Sequence, residues 1–173
     1  MRMENENLTG EFRPELLSRR GEGMAWLTTL LWFVAWTILS VIGRPVLSFV
    51  PVLSFLFLLI AASISLGNWV DRQTVLHIED GGVAFKNGLR NVHLAWDQIK
   101  ELQVFNSNWG KKVRVIGERA HFDFRTLGEV TMGGQLKGRL GFIQGEAILR
   151  QILRKTRLVE VEHTGNSYYY ARQ

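Results

Sequence analysis

Residues 24–70 read MAWLTTLLWFVAWTILSVIGRPVLSFVPVLSFLFLLIAASISLGNWV, a stretch in which Arg44 is the single charge. Two apolar runs make it up. The first, residues 24–42, is uncharged throughout and long enough, at 1.5 Å per residue, to cross a hydrocarbon layer about 30 Å thick. A secretory signal would have a shorter apolar core and end in a small-residue cleavage site, which SVIGR at 40–44 does not offer. Gly43, Arg44 and Pro45 are expected to break the helix. Pro51 lacks an N–H and crowds the turn before it, so the second span is expected over 51–70, with Val46–Val50 as an interfacial elbow and Trp69 at the exit interface. Trp32 and Trp36 lie four apart and share a helix face, where lipid or a partner helix accounts for them. Ala61, Ala62, Ser63 and Ser65 form a small-residue patch on which another helix, first of all the preceding span, can approach closely.

Working outward, residues 1–23 carry four Arg against five Glu, and residues 71–173 carry sixteen Lys or Arg against eleven Asp or Glu. Arg13, Arg19 and Arg20 precede the spans, Arg44 alone lies between them, and Arg72, Lys86 and Arg90 follow. The excess of Lys and Arg on the outer flanks predicts a multi-pass protein of the cell inner (cytoplasmic) membrane with both termini cytoplasmic. Residues 1–13 show no apolar period and are expected to be loose. PELLSRR (14–20) is expected to form a short helix with Pro14 at its first position and Leu16 and Leu17 at the interface. The division is thus a leader (1–23), a transmembrane hairpin (24–70, spans about 24–42 and 51–70) and a cytoplasmic domain (71–173).

After Asp71 the apolar period becomes two, the signature of half-buried strands. TVLHIE (74–79), VAFKN (83–87) and LRNVHLAW (89–96) are separated by Asp80-Gly81-Gly82 and by Asn87-Gly88, and an Asn-Gly pair between alternating runs signals a hairpin. Residues 99–105, 113–116 and AHFDFRT (120–126) continue the meander. The fold expected is α+β, an antiparallel sheet curled into a small barrel or sandwich. Residues 126–142, with five Gly, break the rhythm and read as a Gly-rich loop. Residues 144–157 return to helical period, with Ile148, Leu149, Ile152 and Leu153 on one stripe and Arg150, Arg154 and Arg157 on another. LVEVEH and SYYYAR, around Thr164-Gly165-Asn166, suit a last strand or hairpin, on which an unpartnered edge would expose the tyrosines.

TVLHIEDGGVAFKNG, the Trp-x-x-Ile step in LAWDQIKEL, and the closing GEAILRQILRKTRL helix resemble the bacterial pleckstrin-homology-like domains over residues 72–158. The most specific piece is Trp96–Ile99 between a hairpin and a strand. The resemblance implies a curled β-barrel capped by a C-terminal helix, in a class whose motifs are structural. Eukaryotic relatives that bind phosphoinositides carry a long basic loop between the first two strands. Here that loop is Asp80-Gly81-Gly82, short and acidic, which departs from such recognition.

Reactive constellations are sparse. With no cysteine there is no disulfide, thiolate nucleophile or Cys-type metal site. His77, His93, His121 and His163 have no metal-ligand spacing, and the first three are expected to be neutral, hydrogen-bonded strand residues. Gly133-Gly134-x-x-Lys137-Gly138 has neither P-loop nor dinucleotide spacing. No enzyme, cofactor, metal or nucleic-acid role is expected. The chain is expected to be a non-catalytic scaffold, assembly or accessory subunit, integral in the lipid bilayer and bound to another membrane protein or complex. The alternative is binding of anionic lipid headgroups, each well-placed cation contributing about 1 kcal/mol. Candidate contacts for either are Lys111, Lys112, Arg114, Lys137, Arg139, Arg150, Arg154, Arg157, Tyr168 and Tyr170.

Overall fold

A computed structural model describes residues 8–16, 18–43, 47 and 49–172, the side chains of Met132 and Lys137 excepted. The chain divides into two compact units, residues 18–70 and the combination of 1–17 with 71–173.

The first unit is a helical pair, α1 (Arg20–Val41) and α2 (Phe49–Arg72). Both helices are long and apolar enough to cross a membrane, and only 6% and 11% of their most apolar windows are buried. That exposure sets them apart from the core helices of a soluble protein, whose apolar faces are covered. Gly43, at φ 71°, ends α1 in the left-handed conformation that commonly terminates helices. The expected break at Arg44 and Pro45 lies outside the described residues. Pro51 falls in the first turn of α2, where no intrahelical N–H is needed, so the helix begins at Phe49 rather than at the proline.

Small side chains let the two helices meet. Thr29, Ser54 and Ala61 are the buried ones, and Thr29 Oγ1 reaches both Ala25 O at 2.8 Å and Phe57 O at 3.2 Å. Trp32 packs on Phe57 with centroids 5.9 Å apart, and Trp36 packs on its own neighbour Phe33. Of the expected small-residue patch, Ala61 and Ser65 face α1 while Ala62 and Ser63 are exposed. Near the chain ends of the pair, Trp26 Nε1 donates to Ser65 Oγ at 2.8 Å, and Glu22 accepts from Ser65 Oγ and Asn68 Nδ2, each at 2.9 Å.

The second unit is α+β with antiparallel sheets. Its strands are β1 (Gly10–Phe12), β2 (Pro14–Glu15), β3 (Thr74–Ile78), β4 (Gly82–Asn87), β5 (Asn91–Ala95), β6 (Ile99–Phe105), β7 (Lys112–Gly117), β8 (His121–Arg125), β9 (Gly128–Met132), β10 (Gln135–Phe142), β11 (Val159–Thr164) and β12 (Ser167–Ala171). A 3₁₀ turn, Trp96–Gln98, joins β5 to β6, and α3 (Gly145–Thr156) lies between β10 and β11. The strand orders are β1-β3-β4-β5, β2-β10-β9 and β11-β12-β6-β7-β8. These sheets stay separate, so no barrel closes. Core residues come from alternate positions of β3 to β8 and from one stripe of α3. Phe85 stacks on Phe122 at 5.1 Å between the first and third sheets, and Phe124 meets Phe142 edge-on.

Three expectations are corrected. Residues 8–13 are not loose, and residues 14–16 do not begin a helix. Glu11 pairs with His77 and Phe12 with Leu76, while Pro14 pairs with Phe142, so strand pairing fixes residues that carry no periodicity of their own. Gln151, 4% exposed on α3, clamps Leu8 by accepting from its N–H at 2.8 Å and donating to its carbonyl at 2.7 Å. The segment 126–142 is a hairpin, β9–β10, turned at Gly133-Gly134 with φ 59° and 74°, a pair of positive values that glycine adopts without a Cβ clash. The hairpin expected after α3 is present as β11–β12, and it docks on β6.

Candidate functional site

The expected contact residues do not form one surface. Lys111, Lys112 and Arg114 lie at the start of β7, and each has a carboxylate. Lys111 Nζ is 2.9 Å from Glu146 at the head of α3. Arg114 faces Asp123 across the β7–β8 pair, with Nε to Oδ1 at 2.9 Å and Nη2 to Oδ2 at 3.3 Å. Lys112 Nζ meets the same carboxylate at 3.0 Å. Partial burial raises the Asp123 carboxyl, but hydrogen bonds from Arg114 and Lys112 outweigh it and hold the group below its ordinary range. Arg139 pairs with Glu129 on the facing strand at 3.5 Å, and the side chain of Lys137 lies outside the described residues.

The arginine stripe of α3 is broken. Arg150 and Arg154 are exposed on the helix, whereas Arg157 lies past its last turn at φ 54° and so leaves the line of the stripe. Tyr168 and Tyr170 are half-buried. They sit on β12, which is held between β11 and β6, opposite Val104 and Leu102, and they pack against the core. Tyr168 stacks on His163 at 4.3 Å. Burial, then the nearby Glu160 carboxylate, pushes the Tyr170 hydroxyl up. Trp96 is half-buried against the core and donates Nε1–H to Asp80 O at 2.8 Å.

A residue outside the expected set stands out in the β6–β7 turn. Trp109 is 54% exposed, yet the backbone that carries it is fixed from several sides. Ser107 Oγ donates to Gly110 O at 2.6 Å, and Arg125 Nη1 donates to Trp109 O at 3.3 Å. Lys111 N donates to Thr126 Oγ1, and Thr126 N donates back to Lys111 O, both at 2.9 Å. Gly110 takes φ 86°, and a Cβ on Gly128 would overlap the Trp109 carbonyl and the Gly110 amide. The turn therefore holds an exposed indole on a backbone fixed by these bonds, with Lys111 and Lys112 following it in the chain and Arg125 bonded to its carbonyl. A large amphipathic side chain held in place loses little entropy on association, which is why tryptophan is over-represented at binding hot spots.

No family model, curated protein or solved structure matches this chain. The sequence signal for Trp109 was a lone aromatic in a polar Asn-Ser-Asn-Trp-Gly turn ahead of two lysines, a pattern without periodicity. Among the described residues no three or more His, Asp or Glu come together in a metal-holding group.

Proposed function

We propose that the chain is a membrane-tethered, non-catalytic docking module, in which α1 and α2 insert as a hairpin and the α+β unit binds a protein partner at the cytoplasmic face of the inner membrane. The exposed apolar sides of both helices support insertion, because leaving them in water would cost about 25 cal/mol per Å². Residues on both flanks of the hairpin build one folded unit. A segment that leaves and re-enters the same unit crosses a bilayer an even number of times, which supports two spans. The sequence β3–β5, turn, β6–β8, hairpin, α3 supports a pleckstrin-homology-like core to which the leader strands and the β11–β12 hairpin are additions.

The observation that carries docking is Trp109 on its clamped turn. Lys111 and Lys112, next to it in the chain, already hold carboxylates, and Arg125 is bonded to the Trp109 carbonyl, which supports a protein surface over an anionic-lipid patch at this place. Photo-crosslinking from position 109 of the full chain in native membranes tests the proposal. A discrete protein adduct from position 109, and none from the control position Lys100 on β6, is expected. Lipid adducts alone, or equal yields from both positions, would refute protein docking through Trp109.

A further inference from the structure

Three further cations gather elsewhere. The Trp96 turn, the end of α3, the start of β11 and the residue after β12 surround an open concavity of about 550 Å³. Lys155, Arg157 and Arg172 line it, with Asp97 as the single carboxylate among its lining residues. Lys100, Lys111, Lys112, Arg114 and Arg139 are all matched by Asp or Glu. Among the described residues neither Lys155 nor Arg157 has such a match, and Arg172 reaches only the Trp96 carbonyl, at 3.5 Å. Two positive charges are thus left in excess within one hollow.

Arg157 adds a second observation. It is the one non-glycine with positive φ among the described residues, at the helix-ending position where glycine is the unstrained choice. A side chain is kept where the backbone would favour none. Trp96 contributes ring surface alone, since its N–H is taken by Asp80 O. Guanidinium forks match the oxygen geometry of phosphate, and an ammonium adds a point charge. A phosphomonoester at neutral pH carries close to the two negative charges that the hollow lacks.

We infer that this concavity is an anion site for a phosphomonoester, held by Lys155, Arg157 and Arg172 against the Trp96 ring. The phosphate belongs either to a free solute or to a lipid headgroup, and the chemistry at the site is the same. The site is independent of docking through Trp109.

The test uses the full chain in neutral detergent and follows ³¹P line broadening, with inorganic phosphate as one probe and dioctanoyl phosphatidic acid as the other. Broadening of at least one probe is expected: phosphate identifies a solute site, the lipid alone a headgroup site. R157G replaces a strained residue by the one its backbone favours, so Tm should hold or rise while binding weakens by roughly tenfold or more, as for a lost charged hydrogen bond. R172Q, outside the helix, should weaken binding similarly, and K100Q, whose lysine is paired with Glu118 and is not among the lining residues, should not. If neither probe broadens, or if R157G and R172Q both bind like the wild type, the site does not exist. Were Arg157 only a helix-end cation interacting with the last carbonyls, R157G would leave phosphate binding unchanged.

Discussion

Replacing Gln151 by leucine tests how the leader is held. Leucine has nearly the same helix propensity as glutamine and suits a position that is 4% exposed, so α3 should persist. What is lost is the pair of amide hydrogen bonds to Leu8, at 2.8 and 2.7 Å. Leu8 is only half-buried, so its freed N–H and carbonyl find water and do not stay unpaired. The cost is then the net worth of two neutral bonds, about 2 kcal/mol, and not the larger penalty of stranded buried groups. Against β1 of three residues and β2 of two, that loss should raise the detached population of the leader roughly thirtyfold. Hydrogen exchange of peptides covering residues 8–15, and cleavage after Glu11 by a glutamate-specific protease, should both accelerate, while exchange in β6 and β7 stays as it was. Unchanged exchange and cleavage in Q151L would show that the amide clamp does not hold the leader.

Gly128→Ala should push the Trp109 turn aside, at about 1–3 kcal/mol for an overpacked contact, and reduce the protein crosslink from position 109 more than it reduces Tm. Asp123→Asn removes a carboxylate whose folded pKa is depressed. Its stabilisation is present above the unfolded value of about 4 and disappears as pH falls through the folded value. The variant should lose under about 1 kcal/mol at pH 7, since the group is partly exposed, and denaturant midpoints of variant and wild type should converge below pH 4. Alkaline carbonate washing should leave the chain in the membrane pellet, and release to the supernatant would refute insertion of the hairpin.

The meander β3 to β8 was legible because each strand alternates and each turn carries its own chemistry. Val83, Phe85, Val92, Leu94, Phe122 and Phe124 fall on buried positions as a period of two requires. The stripe of α3 was legible for the same reason, with Ile148 and Ile152 fully buried. Failures came where tertiary pairing overrides local pattern. Three residues of β1 and two of β2 cannot show a period. The β9–β10 hairpin hid behind five glycines, although Gly133-Gly134 between β-capable runs is itself a turn signal. The hairpin of the tail was readable, but its docking on β6, some sixty residues earlier, was not. Of the contact residues, the sequence located the cations but could not tell which had a carboxylate facing them. Lys112 and Asp123 are brought together by strand register, which composition does not reveal.

The stitching of residues 8–15 to β3, β10 and α3 means that the place where the chain enters the apolar helices is not the place where the folded body starts. A fragment cut at Asp71 would keep every strand from β3 onward yet expose the main-chain donors and acceptors of β3 and β10 along two fresh edges. Such edges recruit other chains. Solubility of the α+β unit in isolation should therefore depend on supplying residues 1–17 as well, spliced to it or added as a peptide.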